Sequence, residues 1–282
     1  MPISRRTLTR FIMSSGIVAV ALLILLVGST QSVSAKGLQS AQATVSILRH
    51  TPHGSASLNW NAQTMDLTVT ISVTGLAPNS THPAHIHAGD CTVNGAIIIP
   101  LNNVVTDGTG TASSTTVVHG IQNGIPQSGW YINVHNGPTL GSAAQASPIT
   151  CGNVHAPIKV AGNQRSFAIL GEAVISPNQH SVAAALLTIK NGTLKVVIAT
   201  EGLEPGSMHA VHIHLGSCES QGKVIFPLTT IVADQNGNSV SVTTIPNVQS
   251  IPETGWYINI HLTTDLSTQT GFDPIMCGNV RG

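Results

Sequence analysis

Histidine is the residue type whose number and spacing in this sequence could do chemistry. The chain contains 13 histidines, which outnumber its 11 acidic and its 11 basic side chains. Two His-Ile-His triplets occupy residues 85–87 and 212–214. Because side chains of a β-strand alternate between its two faces, each triplet would set two imidazoles on one face and its isoleucine on the other. Two imidazoles side by side can begin a metal site.

A further histidine ends a strand-like segment in each half of the chain, at His135 and at His261. Tyr131 and Asn133 share a face with His135, and the intervening residues are apolar. If this segment lies beside the His-Ile-His strand, three neutral imidazoles converge on one point. Imidazole binds copper and zinc, whereas magnesium and calcium prefer carboxylate oxygens. The predicted metal ligands are His85, His87 and His135 in the first half and His212, His214 and His261 in the second.

The two sets of histidines belong to an internal repeat. Residues 73–91, VTGLAPNSTHPAHIHAGDC, align with residues 200–218, TEGLEPGSMHAVHIHLGSC. The later GWYIN[VI]H and CGNV segments also recur in both halves. A lone histidine in a strand is more often a surface or core residue than a ligand, but its recurrence in both halves favours a metal site. The repeat predicts two domains, residues 36–160 and 161–282.

Composition and patterning indicate a globular β-protein. Only 8% of the residues are charged and the net charge is zero, which excludes the basic surface of a nucleic-acid-binding protein. Residues 67–73 and 194–200 are rich in β-branched side chains, and no segment after residue 36 has a convincing helical period. We therefore predict an all-β fold of two tandem Greek-key β-sandwich domains.

The N-terminal residues 1–35 have the features of an export signal. Arg5, Arg6 and Arg10 precede an unbroken apolar run at residues 17–27, and small side chains follow at residues 33–35. This pattern predicts a signal peptide or an uncleaved membrane anchor, served by either the general or the twin-arginine export route. The mature protein is predicted to be extracytoplasmic, either secreted or anchored to the outer face of the membrane.

The four cysteines divide equally between the repeats. An exported protein meets an oxidising environment, which favours disulfides, and neither cysteine pair has the C-x-x-C spacing of zinc sites. Three connectivities are possible, and pairing within each repeat lets each domain close its own loop. The predicted disulfides join Cys91 to Cys151 and Cys218 to Cys277.

The repeated motifs resemble known families. G-L-x-P-x-x-x-H-x-x-H-I-H-x-G-x-C with a late Cys-Gly-Asn-Val resembles the copper/zinc superoxide dismutases, and Gly-Trp-Tyr-Ile-Asn-Val-His is similar to the strand that marks the chordin-type (CHRD) domain. The resemblance implies a dismutase-like Greek-key sandwich in each repeat, with the two histidine triads matching copper ligands. It further implies that His82 and His209 bond to the backbone and steady the ligands from behind.

The sequence departs from the dismutases in two ways. Residues 91–100 and 218–227 contain no histidine, so the zinc half-site has no counterpart. Residues 145–150 and 273–276, where the dismutases carry a guiding arginine, contain no cationic side chain. Copper on three imidazoles would leave a position open for superoxide, but without electrostatic steering we expect weak dismutation at most.

Three functions remain open on the sequence alone. The first is an exported metal-binding protein whose partner is a metal ion, with copper favoured over zinc. The second is a zinc-free, copper-dependent enzyme of the superoxide dismutase class, and the third is a structural or adhesion repeat protein that binds no metal. A zinc hydrolase-like or carbonic-anhydrase-like site would use similar histidines, but the surrounding motif disfavours it. The sequence indicates no nucleic-acid partner and points to no particular protein partner.

Overall fold

The computed structural model describes residues 41–93, 95–171, 178 and 180–282. The predicted signal peptide or anchor, residues 1–35, lies outside these residues. Nearly all regular secondary structure in the described residues is β-structure, with 21 strands and two helices of four residues each, which confirms the predicted fold class. Within the described ranges, no helix has both the length and the apolar character needed to cross a membrane.

Most strands of the first half of the chain have a counterpart in the second half. The first ten strands are β1 (Gln42–His50), β2 (His53–Asn61), β3 (Asp66–Thr74), β4 (Thr81–His82), β5 (Ala84–Ala88), β6 (Ile97–Pro100), β7 (Val104–Val105), β8 (Ala112–Val118), β9 (Trp130–His135) and β10 (Pro148–Asn153). The others are β11 (Ile158–Val160), β12 (Asn163–Leu170), β13 (Val182–Lys190), β14 (Thr193–Glu201), β15 (Met208–His209), β16 (Val211–Gly216), β17 (Gln221–Pro227), β18 (Ile231–Val232), β19 (Ser239–Pro246), β20 (Trp256–His261) and β21 (Pro274–Val280). Helix α1 (Ala143–Ala146) precedes β10, and helix α2 (Gln269–Phe272) precedes β21.

The first sandwich packs a four-stranded sheet against a five-stranded sheet. The strand orders are β10-β9-β5-β6 and β11-β12-β2-β3-β8. Alternation along β3 buries Leu67, Val69 and Ile71, which join Ile86 of β5 and Ile132 of β9 in one core. Each such side chain contributes about 1.5–3 kcal/mol of burial free energy, so this core is the main source of stability for the sandwich.

The second sandwich consists of a single curled sheet of eight strands. Its order is β17-β16-β20-β21-β1-β13-β14-β19. The two halves of this sheet are joined by β1, which pairs with β13 along most of its length and with β21 through Arg49 and His50. Leu187 and Ile198 from one half pack in the same buried core as Ile213 from the other half. Both repeats therefore build the predicted sandwich around an aliphatic core.

The two sandwiches exchange strands. β1 lies in the first sequence repeat, yet it pairs with β13 and β21 in the second sandwich. β12 follows the first repeat in the chain, yet it pairs with β2 of the first sandwich, from Gln164 opposite Trp60 to Leu170 opposite Gly54. Each sandwich is therefore completed by a strand that lies outside its own sequence repeat, β12 in the first sandwich and β1 in the second. The boundaries 36–160 and 161–282 stay a prediction for the sequence repeats.

The glycine of each Cys-Gly-Asn-Val motif makes room for the exchanged strand. A Cβ atom on Gly152 would lie 2.2 Å from the carbonyl oxygen of Ile169, and one on Gly278 would lie 2.6 Å from that of Ile47. Any Cβ atom at these positions would clash with the neighbouring backbone, so only glycine fits. The motif that carries the second cysteine of each repeat is thus also the contact with β12 or β1.

Candidate metal centres

Strands β5 and β9 lie side by side and carry the first histidine triad. Their antiparallel pairing sets His85 opposite Asn133 and His87 opposite Tyr131. Ile86, between the two histidines, is completely buried in the sandwich core. The two imidazoles therefore project from the opposite face of the sheet, as the alternation of side chains along the strand predicts.

His135 ends β9 and completes the first triad. One ring nitrogen each from His85, His87 and His135 lies within 4.8 Å of the other two. The ring centroids are 5.7 Å apart for His85 and His87, 5.0 Å for His85 and His135, and 5.6 Å for His87 and His135. Three imidazole nitrogens this close together can share one metal ion.

The second triad repeats this arrangement on β16 and β20. His212 lies opposite Asn259, His214 lies opposite Tyr257, and His261 ends β20. The three ligand nitrogens again lie within 4.8 Å of one another. The corresponding centroid distances are 5.7, 5.2 and 5.9 Å. The two halves of the chain thus assemble the same constellation from equivalent strands.

Hydrogen bonds to backbone carbonyls fix the tautomers of two histidines of the first triad. Nδ1 of His87 donates to the carbonyl oxygen of Gly95 at 2.8 Å, and Nδ1 of His135 donates to that of Ala146 at 2.7 Å. Because a carbonyl can only accept, each Nδ1 carries the proton and each Nε2 keeps a lone pair. Those Nε2 atoms and Nδ1 of His85 are buried without a partner among the described residues.

The second triad has equivalent hydrogen bonds. Nδ1 of His214 donates to the carbonyl oxygen of Gly222 at 2.9 Å, and Nδ1 of His261 donates to that of Phe272 at 2.5 Å. The Nε2 atoms of both rings and Nδ1 of His212 again have no partner in the described part of the chain. Ala146 and Phe272 are the last residues of α1 and α2. The carbonyl groups at the end of a helix have no N–H donor within that helix, so they are free to accept from the histidines.

Burial favours the neutral form of most of the triad histidines. It lowers the pKa of His85, His212 and His261 to about 4, because an imidazolium loses its hydration there, and neighbouring triad histidines lower these pKa values further. Burial also lowers the pKa of His135 and His214. These rings therefore hold lone pairs at neutral pH, which is the form of imidazole that binds metal.

The unpartnered nitrogens fit a metal ion. A buried polar atom that lacks a hydrogen bond costs about 1–3 kcal/mol, so three of them at one point need a common explanation. Each of these nitrogens belongs to a histidine of one of the two triads, whose ligand nitrogens lie within 4.8 Å of one another. An ion that accepts three lone pairs would satisfy all of them at once, whereas a hydrogen-bond donor could satisfy only one or two.

His82 and His209 support the third ligand of each triad from behind. Nδ1 of His82 donates to the carbonyl oxygen of His135 at 2.8 Å, and Nδ1 of His209 donates to that of His261 at 2.9 Å. The other ring nitrogen of His82 lies 2.7 Å from the hydroxyl of Ser80, and that of His209 lies 2.7 Å from the hydroxyl of Ser207. Both histidines are buried, so they hold the backbone at the end of β9 and β20 and do not join the triads.

Two tyrosines stack on triad histidines, a role that the sequence analysis did not assign. The Tyr131 ring lies 5.0 Å from the His87 ring at 28°, and Tyr257 lies 4.9 Å from His214 at 24°. Both tyrosines are completely buried, and burial raises the pKa of Tyr257 to about 12. The alternation Tyr-x-Asn-x-His was the available signal, since it sets the tyrosine on the face that carries the ligand.

The disulfides form as predicted. Cys91 is joined to Cys151, and Cys218 to Cys277, with no free cysteine in the described residues. Each bridge packs against the tyrosine that stacks on a triad histidine, Tyr131 in the first sandwich and Tyr257 in the second. Such bridges are typical of proteins outside the reducing cytoplasm, and they favour an extracytoplasmic location.

Comparison with known proteins identifies the repeated unit. The model of the CHRD domain matches residues 35–138 and 166–265, which together make up well over half of the chain. The first match includes His85, His87 and His135, and the second includes His212, His214 and His261. No curated protein matches the chain as a relative. The chain thus belongs to the CHRD domain family, of which it carries two tandem copies.

Proposed function

We propose that this protein is an exported, extracytoplasmic metal-binding protein that holds one copper ion in each CHRD domain. The observation that carries the proposal is the pair of triads, in each of which all three histidines offer ligand nitrogens within 4.8 Å of one another and carry a buried ring nitrogen that has no partner among the described residues. Backbone carbonyls fix which nitrogen of His87 and His135 stays unprotonated. Ligands held in this way are preorganised for an ion.

Copper is favoured over zinc by the donor set and by the motif. Three imidazoles without a carboxylate or thiolate suit copper as well as zinc, and copper binds more tightly than zinc to the same nitrogen ligands. The four cysteines are consumed in disulfides and cannot supply thiolate ligands. The resemblance of the His-Ile-His motif to the copper half of the copper/zinc dismutases, without the zinc half, supports the same choice.

Metal analysis of protein purified without a histidine tag tests this proposal. We expect about two copper ions per chain after growth with both copper and zinc, and fewer than two in the variants His87→Ala and His214→Ala. His119→Ala is the matched control, because His119 is exposed and bonds to Asp66 outside both triads. Absence of metal, or equal metal content in all variants, would contradict the proposal and favour a structural repeat protein.

A second candidate function is slow superoxide dismutation, which the three-ligand geometry favours. Bound copper would supply one-electron chemistry, and the three histidines leave room for a further ligand on the ion. The chain would contribute the orientation of the ligands through the carbonyl oxygens that accept from His87 and His135. A dismutase assay on the copper-loaded protein distinguishes the two functions. A carrier or store of copper would give no more activity than the double variant His87→Ala/His214→Ala, whereas an enzyme would give more.

A further inference from the structure

Asn133 and Asn259 occupy equivalent positions at the centre of the strand that carries the third ligand. In the register of the sheet, Asn133 lies opposite His85 on one side and opposite Cys151 on the other. Asn259 likewise lies between His212 and Cys277. Because residues directly opposite each other in an antiparallel pair project from the same face, each amide lies on the face that carries the triad.

Both amide side chains are buried, and both have polar atoms with no partner. Each asparagine is only 1% exposed. Oδ1 of Asn133, and both Oδ1 and Nδ2 of Asn259, have no hydrogen-bond partner among the described residues. Burying an amide without partners is costly, so a sequence that repeats the feature in both halves needs a reason for it.

Two asparagines on the adjacent strands, Asn153 and Asn279, have hydrogen-bond partners, in contrast to Asn133 and Asn259. Oδ1 of Asn153 accepts a hydrogen bond from the backbone N–H of Cys91 at 2.8 Å, and Oδ1 of Asn279 accepts one from that of Cys218 at 2.9 Å. These amides hold the loop at the first cysteine of each disulfide. The unpartnered amide atoms of Asn133 and Asn259 hold no such element among the described residues.

We propose that Asn133 and Asn259 bind a small inorganic anion, or the water that replaces it, at the open coordination position of each metal ion. This inference rests on the proposed metal-binding function. Three histidines leave at least one position on the ion free, and an amide on the same face offers both a donor and an acceptor to a ligand there. A neutral amide can donate to an anion through Nδ2 and accept from water through Oδ1, which suits an exchangeable ligand. The asparagines would thereby select small, hydrogen-bonding ligands for the ion.

Azide binding to the copper-loaded protein tests this inference. The variants are Asn133→Leu and Asn259→Leu, each of which leaves the other site in the same molecule as its matched control. We expect copper content to stay at two ions per chain, while azide affinity at the altered site falls about tenfold, as for loss of one hydrogen bond to a charged ligand. Titrations followed by absorption and electron paramagnetic resonance should become biphasic in either single variant and uniformly weak in the double variant.

Unchanged azide affinity in the leucine variants would overturn the inference. So would loss of copper from the altered site, since the asparagine would then be a metal ligand or a structural residue. Failure of the unaltered protein to bind copper is a separate result, which would reject the proposed function and the inference together.

Thermal unfolding of the metal-free protein supplies a readout that does not depend on copper. Asn133→Leu should unfold no earlier than the unaltered protein, because leucine has a similar size and removes an unsatisfied amide. Asn153→Leu is the matched comparison on the next strand, and it should unfold earlier, because the N–H of Cys91 loses its acceptor. An equal drop in unfolding temperature for both variants would assign Asn133 a structural role and contradict the proposal.

Discussion

The two candidate metal centres share the hydrogen bonds that orient the histidine rings and differ in what surrounds the third histidine. In both, that histidine donates to the last carbonyl of a four-residue helix. In the first centre the helix ends in Ala146, whereas in the second it ends in Phe272, whose ring lies 4.9 Å from that of His261. The next residue is Ser147 in the first repeat and the buried Asp273 in the second.

This comparison separates a common requirement from local variation. The tautomer-fixing carbonyls, the stacked tyrosines and the supporting histidines occur in both centres, so orientation of the ligands is the shared property. The residues after the helix have diverged in size and charge without disturbing the triad. We therefore expect both centres to bind metal and to differ in stability and in its dependence on pH.

The largest expected effect is the loss of folding in a fragment of the chain that lacks the exchanged strand of its sandwich. A fragment of residues 53–170 contains every strand of the first sandwich, including the exchanged strand β12. A fragment of residues 41–155 carries β1 instead and lacks β12. We expect the first fragment to give a cooperative thermal transition and dispersed amide signals in nuclear magnetic resonance, and the second to be unfolded. Two folded fragments would show that the exchange is dispensable and that each repeat folds independently.

Substitution of a ligand should affect one centre at a time. In His85→Ala the copper affinity of the first centre should fall by more than the 10–100-fold that is typical for partners of a ligand, while the second centre keeps its affinity. His212→Ala should give the reverse result. Competition titrations against a copper chelator measure both affinities in one experiment. A loss shared equally by the two centres would mean that they bind a single ion between them.

Asp273 should make stability depend on pH in a way that its counterpart Ser147 cannot. Burial raises the pKa of Asp273 well above its ordinary value, and the N–H of Ala77 opposes this only in part. Between the ordinary and the raised pKa, the folded protein keeps a proton that the unfolded chain has released, so its stability falls as pH rises. The slope is up to about 1.4 kcal/mol for each pH unit within that range.

Asp273→Asn should remove this dependence. The variant should unfold at a higher temperature than the unaltered protein at pH 8, and the difference should shrink as the pH falls below the ordinary aspartate pKa of 3.8, where the carboxyl is protonated in both states. Thermal unfolding across this pH range measures it. A variant that is less stable than the unaltered protein at pH 8 would indicate an ionised carboxylate that the structure stabilises.

The smallest expected effect is that of removing the tyrosine hydroxyls. Tyr131 accepts a hydrogen bond from the N–H of Gly95 at 3.0 Å, and Tyr257 accepts one from that of Gly222 at 3.3 Å. Tyr131→Phe and Tyr257→Phe should each cost about 1 kcal/mol, or roughly 2–4 °C in unfolding temperature. The copper stoichiometry should not change, because the stacked ring remains. Loss of an ion from either variant would give the hydroxyl a larger part in aligning the histidine.

The two histidines of each His-Ile-His triplet could be placed on one face by a local rule, whereas the third histidine joins them only because β5 pairs with β9 and β16 pairs with β20. Strand alternation sets His85 and His87 on one face, and the repeat distinguishes them from chance histidines. The carbonyl partners of His87 and His135 could not be predicted, since Gly95 and Ala146 come from loop and helix segments whose path depends on tertiary packing. The supporting roles of His82 and His209 came only from the family resemblance.

The strand exchange could not be predicted for a different reason. β1 and β12 have similar alternating patterns, so the patterns alone do not identify the neighbour of either strand. Pairing of this kind is decided by long-range contacts, such as the approach of Ile47 to Gly278 and of Ile169 to Gly152. Sequence patterns report which face of a strand is buried, but they do not report which neighbour the strand chooses.

The most direct test of the account is a copper titration of the untagged, metal-free protein with its disulfides intact, followed by electron paramagnetic resonance. We predict a nitrogen-ligated copper(II) signal that saturates at two ions per chain. In a variant with alanine at His87 and His214 the tightly bound signal should be absent. Absence of bound copper, or the same signal in the double variant, would contradict the claim that the two histidine triads are metal centres.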